Sequence, residues 1–157
     1  MCAQQELGSA SGKFTVGGMN YSIDFTAAVF LDWGSELSGA GLDTLAATYL
    51  IESGGGNLSP LNNGNGNGSV DIGPMQLNYV VGSTRWPSNA LGTNLLPKQP
   101  FNGNAFVNIL EGADYLASLP DPGDYYSSTP SLMQQRDNAL NALTPTLQPF
   151  FDCLQKP

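Results

Sequence analysis

The sequence predicts a mainly α domain (α+β class) with one small β-hairpin. Apolar residues recur at helical spacing in four segments, and Gly, Pro or polar residues separate one segment from the next. Between the second and third segments lies a stretch rich in Asn and Gly, which favours a hairpin over a helix. The 157 residues, 41% of them apolar, suffice for a single domain over residues 1–157.

A short extended segment and a helix open the chain. Residues 12–22 place apolar side chains between glycines, which favours an extended or irregular entry. Apolar residues then recur at helical spacing over residues 23–37, and the glycines that follow indicate where this helix ends. Trp33 and Leu37 belong to this pattern, so we expect both in the core.

The second helix ends at an acidic residue. Asp43 can cap a helix over residues 44–53, because its side-chain oxygen can accept hydrogen bonds from the free amides of the first turn. Glu52 stands in the last turn, before three glycines where a bulky substrate could approach the backbone. The neighbouring core can partly dehydrate the Glu52 carboxyl group and raise its pKa. The alternative is a solvated Glu52 in a frayed last turn.

Polar side chains follow the Asn- and Gly-rich stretch. We expect Asp71 on a short β-hairpin, because the residues before it tolerate turn conformations. Gln76 and Asn78 then alternate with Met75 and Leu77, so the two amides point to one side and the two apolar side chains to the core. The amides suit sugar hydroxyl and acetamido groups, or they satisfy nearby loop backbone.

Two further helices are expected in the C-terminal half. One covers residues 104–120, and the other begins with Thr129 as its cap and Pro130 at its first position. Thr144-Pro145 is expected to interrupt the second, because proline cannot donate a backbone hydrogen bond. The buried face of this second helix is expected to comprise Leu132, Met133, Ala139, Leu140 and Leu143.

The composition excludes several kinds of site. The chain has no His, two Cys and five Lys plus Arg, which excludes histidine triads, histidine-ligated metals and four-cysteine zinc sites. The Asn-rich run lacks the acidic ends of a calcium loop, so we expect neither metal nor other cofactor. Acid–base chemistry near neutral pH therefore falls to Asp or Glu, with Tyr and Lys as weaker candidates. The net charge of −8 makes nucleic acid an unsuitable partner.

Location and cysteine pairing are less constrained. No apolar run reaches the roughly 18 to 20 residues that cross a bilayer, so we expect no membrane span, and we expect a monomer. Cys2 directly after Met1 is compatible with a secreted, periplasmic or cell-envelope protein whose export signal was removed. A Cys2–Cys153 disulfide would contribute roughly 4 to 5 kcal/mol in the chain-entropy model. Two free thiols, or a lipidated Cys2 with an unpaired Cys153, are the alternatives.

Three patches resemble signatures of the lysozyme-like superfamily. Glu52-Ser53-Gly54 is similar to the glutamate-serine signature of c-type lysozymes and lytic transglycosylases. The Gly-Ser-x-Asp-x-Gly-x-x-Gln-x-Asn signature is matched by Gly68-Ser69-Val70-Asp71-Ile72-Gly73-Pro74-Met75-Gln76-Leu77-Asn78. The Asn-x-x-x-Gly-x-x-Tyr-Leu helix of the transglycosylases is matched by Asn108-Ile109-Leu110-Glu111-Gly112-Ala113-Asp114-Tyr115-Leu116. The motif region extends from about residue 43 to residue 119.

The resemblance implies a lysozyme-like helical domain whose hairpin lies beside an active-site cleft. It implies cleavage of β-1,4 bonds in peptidoglycan or a related amino-sugar polymer, with Glu52 as the general acid and Asp71 as the second carboxylate. Transglycosylases usually carry a Tyr-Asn pair after the Asn-x-x-x-Gly helix, and here Tyr125 or Tyr126 would take its place, or the groove is incomplete. The residues that would bind the polysaccharide are Ser53, Gln76, Asn78, Tyr115 and Tyr125.

Several functional alternatives stay open. The reaction is either hydrolysis, which leaves a reducing end, or transglycosylation, which leaves an anhydro-sugar. The distance between the Glu52 and Asp71 carboxyl groups bears on the role of Asp71. About 5 to 5.5 Å would suit a nucleophile and about 6.5 to 9.5 Å an inverting water, whereas a remote Asp71 would leave Glu52 to act alone. A chitosanase- or chitinase-like hydrolase is one alternative, since the acidic chain suits a cationic polymer. A non-catalytic glycan-binding or structural module of the same fold is the other.

Overall fold

The structure is a computed structural model that describes residues 13–16, 19–58, 61–62, 69–80, 104–126, 130–146 and 148–155. Its helices are α1 (Phe25–Ser38), α2 (Leu42–Glu52), α3 (Ala105–Ser118), α4 (Pro130–Thr146) and α5 (Gln148–Leu154), with a 3-10 helix at Pro122–Tyr126. Its strands are β1 (Lys13–Val16), β2 (Met19–Ser22), β3 (Leu61–Asn62), β4 (Ser69–Ile72) and β5 (Leu77–Val80). The predicted mainly α class with a small β part is therefore confirmed.

The strands form two small antiparallel sheets. β1 and β2 make an N-terminal hairpin, which confirms the extended entry predicted there. β3, β4 and β5 form the second sheet in that order. Asp71 lies on the central strand, where it is paired with Asn62 on one side and Asn78 on the other. The predicted hairpin is thus confirmed, and a short third strand adds to it.

Helix α1 begins and ends as its sequence directs, but a different face is buried. The Asp24 carboxylate accepts a 2.7 Å hydrogen bond from the Ala27 amide, and Gly39 ends the helix in the left-handed conformation. The buried face consists of Ala27, Ala28, Leu31 and Gly34. Trp33 and Leu37 are each 47% exposed, so their predicted place in the core is wrong. The small residues allow close packing against α3, which puts the two larger side chains on the outer face.

Helix α2 is the central helix of the described core. Every residue from Leu45 to Ile51 is buried, because the helix has neighbours on several sides rather than one. Its N-cap is Gly41, so no side chain caps the helix, and Asp43 lies inside the first turn. The prediction that Asp43 caps this helix is therefore wrong. At the other end the prediction is confirmed, since Glu52 is the last helical residue.

Helices α3 and α4 complete the core. α3 packs along α1, and α4 packs against α2. Asn104 caps α3 by accepting hydrogen bonds from the amides of Phe106 and Val107. α4 continues past Pro145 to Thr146, so the predicted interruption at Thr144-Pro145 is wrong. A proline one residue from the helix end forfeits only its own backbone hydrogen bond, and the turns before it keep theirs. Met133 is 40% exposed, which corrects its predicted burial.

The structure also bears on membrane spans and on cysteine pairing. Among the helices of the described residues, none has the length and apolar character that crossing a membrane requires. Cys153 lies partly buried on α5 and is part of a disulfide. Cys2 lies outside the described residues, so the Cys2–Cys153 pairing stays a prediction.

Candidate active site

Glu52 leaves the core at the C-terminal end of α2. The chain turns sharply there, and the Ser53 amide still donates a 2.9 Å hydrogen bond to the Tyr49 carbonyl. The Gly55 amide reaches back to the Leu50 carbonyl at 2.8 Å, so the turn folds onto the last turn of the helix. These bonds fix the backbone on both sides of Glu52, whose side chain is partly buried.

Ser53 forms hydrogen bonds within this turn through its hydroxyl group. Its side chain is 1% exposed, and its hydroxyl accepts a 2.7 Å hydrogen bond from the Gly56 amide and donates to the Leu50 carbonyl at 3.4 Å. The hydroxyl thus supports the backbone next to Glu52. Its predicted contact with substrate stays a prediction.

The glycines after Ser53 pack against the N-terminal hairpin. Gly55 accepts hydrogen bonds from the amide and the hydroxyl of Ser22 on β2. A Cβ atom on Gly55 would overlap the Asn20 carbonyl, and one on Gly56 would overlap the Ser22 carbonyl. Glycine is therefore required at both positions by β2 itself. Among the described residues, no atom lies within 4 Å of a Cβ atom built on Gly54, and the close approach of a bulky substrate there stays a prediction.

The environment of Glu52 favours its protonated form. Burial raises the pKa of this carboxyl group, and the nearby charge of Asp71 raises it further, to about 8. Within the described residues no hydrogen bond to the Glu52 carboxyl offsets these effects. Glu52 therefore carries a proton at neutral pH, as a general acid must.

Asp71 approaches Glu52 from the sheet. It lies partly buried on β4, and the Asn78 side-chain amide donates a 2.6 Å hydrogen bond to its Oδ1 atom. The two residues are directly opposite each other on β4 and β5, which places their side chains on the same face. Asn78 therefore orients a carboxylate here, and its predicted contact with sugar stays a prediction.

Gln76 lies in the turn that joins β4 to β5. Its φ of 47° is in the left-handed region, the one non-glycine case among the described residues. Both its amide groups bond the Gly73 carbonyl, the backbone at 2.9 Å and the side chain at 3.0 Å. Met75 and Leu77 on either side are fully buried, so their predicted place in the core is confirmed. The Gln76 side chain satisfies nearby loop backbone, which was the alternative to a contact with sugar.

Two tyrosines from separate elements meet near this turn. Tyr115 on α3 and Tyr125 on the 3-10 helix lie with ring centroids 5.3 Å apart. The Tyr125 hydroxyl donates a 2.6 Å hydrogen bond to the Met75 carbonyl, so it contacts the turn that carries Gln76. Both rings are partly buried, and their predicted contacts with substrate stay predictions.

Sequence reasoning assigned no role to Asn108, which the structure places against the same turn. This side chain is 1% exposed on α3, and it hydrogen-bonds the backbone of Ile72 and Met75. One signal was present in the sequence: Asn108 is a polar residue on the apolar face of a helix. A buried side-chain amide must form hydrogen bonds, so a structural contact at this position could have been expected. What the sequence did not contain was the identity of those partners.

Comparison of the chain with protein families, with characterised proteins and with solved structures finds no match. A protonated Glu52 close enough to Asp71 to respond to its charge combines a proton donor with a second carboxyl group. Such a pair can protonate a leaving oxygen and stabilise the positive charge that then develops on the adjoining carbon.

Proposed function

We propose that this chain is a glycan-cleaving enzyme with a lysozyme-like fold. It acts on β-1,4 bonds of peptidoglycan or a related amino-sugar polymer. The observation that carries the proposal is Glu52, whose burial and proximity to Asp71 raise its pKa to about 8. The three sequence motifs support it independently, since Glu52, Asp71 and Asn108 come from separate motifs and all belong to this one region.

The proposed reaction begins with proton transfer from Glu52. The proton goes to the oxygen between two sugars, so the leaving sugar departs as a neutral alcohol. Asp71 stabilises the positive charge that develops on the sugar ring, with Asn78 holding its carboxylate. A water molecule or the sugar's own hydroxyl then forms a bond to that ring carbon and gives its proton to the Glu52 carboxylate, which yields a reducing end or an anhydro-sugar and restores the protonated Glu52.

A cationic amino-sugar polymer such as chitosan is the second candidate substrate. The chain carries 13 acidic and five basic residues, for a net charge of −8. A negative surface attracts a cationic polymer and repels an anionic cell wall. The same Glu52 and Asp71 would act on either polymer.

Mass spectrometry of the released products tests this proposal. Purified peptidoglycan, chitin and chitosan are each incubated with the wild-type protein and with Glu52→Gln, from acidic to neutral pH. Glu36→Gln is the matched control, because Glu36 is exposed on α1. We expect products from wild type and Glu36→Gln and none from Glu52→Gln. Reducing ends would indicate hydrolysis, and anhydro-sugars would indicate transglycosylation.

Two outcomes would overturn the proposal. Products from folded Glu52→Gln at the wild-type rate would remove Glu52 from its role. The absence of products from wild type on all three polymers would leave a non-catalytic glycan-binding or structural module as the better explanation.

A further inference from the structure

Asn108 connects a helix of the core to the turn between β4 and β5. Its Oδ1 atom accepts a 2.8 Å hydrogen bond from the Met75 amide. Its Nδ2 atom donates a 3.0 Å hydrogen bond to the Ile72 carbonyl. One side-chain amide therefore binds the backbone at the start and near the end of the turn, as a neighbouring strand would.

The turn and the helix fit each other closely around this amide. A Cβ atom on Gly73 would lie 2.6 Å from both Nδ2 and Oδ1 of Asn108, so this position requires glycine. Gly112 lies one turn further along α3, where a Cβ atom would lie 2.6 Å from the Met75 Cβ atom. The spacing of four residues puts Asn108 and Gly112 on the same face of α3. That face therefore accepts the turn in one position only.

The backbone of Met75 is held from two directions. Asn108 binds its amide, and the Tyr125 hydroxyl binds its carbonyl. Its side chain is fully buried, so neither the backbone nor the side chain can shift without loss of contacts. The turn is thus fixed relative to the helical core.

The fixed turn is also the segment that connects Asp71 to Asn78. Asp71 directly precedes Ile72, whose carbonyl Asn108 binds. Asp71 is also the one group whose charge contributes to the raised pKa of Glu52 among the described residues. A change at Asn108 should therefore move the carboxylate that Glu52 responds to, although Asn108 belongs to a different element from either acid.

We propose that Asn108 is a positioning residue, which holds the β4–β5 turn against α3 and so keeps Asp71 beside Glu52. This inference rests on the proposed function for its kinetic consequence only. The alternative is a merely structural role, in which the two hydrogen bonds stabilise the fold and leave the folded site unchanged.

Asn108→Ala tests the proposal, with Asn104→Ala as the control. Asn104 caps the same helix, so its loss destabilises α3 without touching the turn. For Asn108→Ala we expect kcat to fall on the order of 10- to 100-fold, because small misplacements of reacting groups cost that much. We also expect the pKa of Glu52, followed by carboxyl NMR, to fall below its wild-type value, since Asp71 no longer lies next to it. In Asn104→Ala both quantities should match the wild type.

Asn108→Asp provides a second test that does not depend on the alanine variant's folding. A protonated Asp has the shape of Asn and can donate its O–H to the Ile72 carbonyl, whereas an ionised Asp cannot. Because position 108 is buried, the pKa of an aspartate there should lie above its ordinary value of about 3.9. We therefore expect the ratio of variant to wild-type kcat to be near one at about pH 4 and to decrease as this carboxyl ionises at higher pH. The measurements are made well below the unfolding temperature of each protein.

The outcomes separate this inference from the proposed function. A folded Asn108 variant with wild-type kcat and a wild-type Glu52 titration would overturn the positioning role, even if its stability were reduced. A kcat ratio of Asn108→Asp that does not change with pH would overturn it too. If the wild type cleaves no glycan, the Glu52 titration alone still decides whether Asn108 positions Asp71.

Discussion

At the scale of single residues, the chemistry depends on where Glu52 and Asp71 come to lie. Glu52 ends a helix that is buried along most of its length, so its carboxyl group leaves the core without full hydration. Asp71 comes from a strand of the neighbouring sheet, where Asn78 holds its carboxylate. Neither sequence position alone specifies a raised pKa for Glu52. Its pKa is raised because the folded protein both buries this carboxyl group and brings a like charge near it.

The proton on Glu52 should make stability depend on pH. With a pKa of 4.5 in the unfolded chain and about 8 in the folded protein, the folded state binds more protons between these values. The free energy of unfolding should therefore fall as pH rises from about 4.5 to about 8, by on the order of 5 kcal/mol. In Glu52→Gln this decrease should be absent. Urea unfolding at several pH values measures it, and Glu36→Gln should give a curve parallel to that of wild type.

Removal of the Asp71 charge should lower the pKa of Glu52 without restoring its ordinary value, because burial is the larger cause. For Asp71→Asn we expect the alkaline limb of the kcat/KM profile to move from about pH 8 to a lower pH. The control is Asp43→Asn, an exposed residue at the far end of the same helix. An unchanged limb in a folded, active Asp71→Asn would show that Asp71 does not act on Glu52.

At the scale of elements, the three-glycine turn depends on the hairpin formed by β1 and β2. The turn hydrogen-bonds Ser22, and two of its glycines leave no room for a side chain next to β2. The hairpin thus supports the backbone that directly follows Glu52. Residues far apart in the sequence fix the exit of α2 in this way.

Alanine substitutions within this turn should differ sharply in cost. Gly54, Gly55 and Gly56 all have positive φ, so each substitution costs about 1 kcal/mol in backbone strain. Gly55→Ala and Gly56→Ala also force a methyl group into β2, which should cost about 2 kcal/mol more. Denaturant unfolding measures the difference. Equal losses at Gly54 and Gly56 would mean that β2 does not pack against the turn.

Elements were predicted well where periodicity and end signals agree. Asn104 and Gly39 marked the limits of their helices correctly, because each acts within one helical turn: Asn104 through its side-chain oxygen and Gly39 through its left-handed backbone. The choice of buried face was less predictable: Trp33 is apolar yet exposed, whereas its neighbour Gly34 packs against Ala113 of α3. The periodicity of apolar residues identifies a helix, but the packing of the neighbouring elements determines which face of that helix is buried.

At the scale of the whole molecule, the motifs identified the two acids but not what holds them. Glu52 and Asp71 were predicted from motif residues and their chemistry. Asn108 and the Tyr125 hydroxyl bind backbone atoms of the β4–β5 turn, and no side-chain pattern reveals a backbone partner distant in sequence. The rest of the site could be recognised only after the helices and the sheet were placed together.

The net charge of −8 should influence which polymer is degraded fastest. Raising the salt concentration from about 0.01 to 0.1 M shortens the screening length from roughly 30 to 10 Å. We expect this change to slow cleavage of cationic chitosan and to speed cleavage of anionic peptidoglycan. Initial rates on both polymers, measured at one pH, test it. The same salt response on both would mean that overall charge does not guide substrate binding.

The proton on Glu52 is the property on which the proposed chemistry depends. Carboxyl NMR of selectively labelled protein, titrated from acidic to alkaline pH, follows that group without any assumption about substrate. Glu52→Gln identifies its signal by loss of the resonance, and exposed Glu36 provides an internal reference. We expect Glu52 to titrate near pH 8. A midpoint near 4.5, the ordinary value for a glutamate, would contradict its role as the general acid.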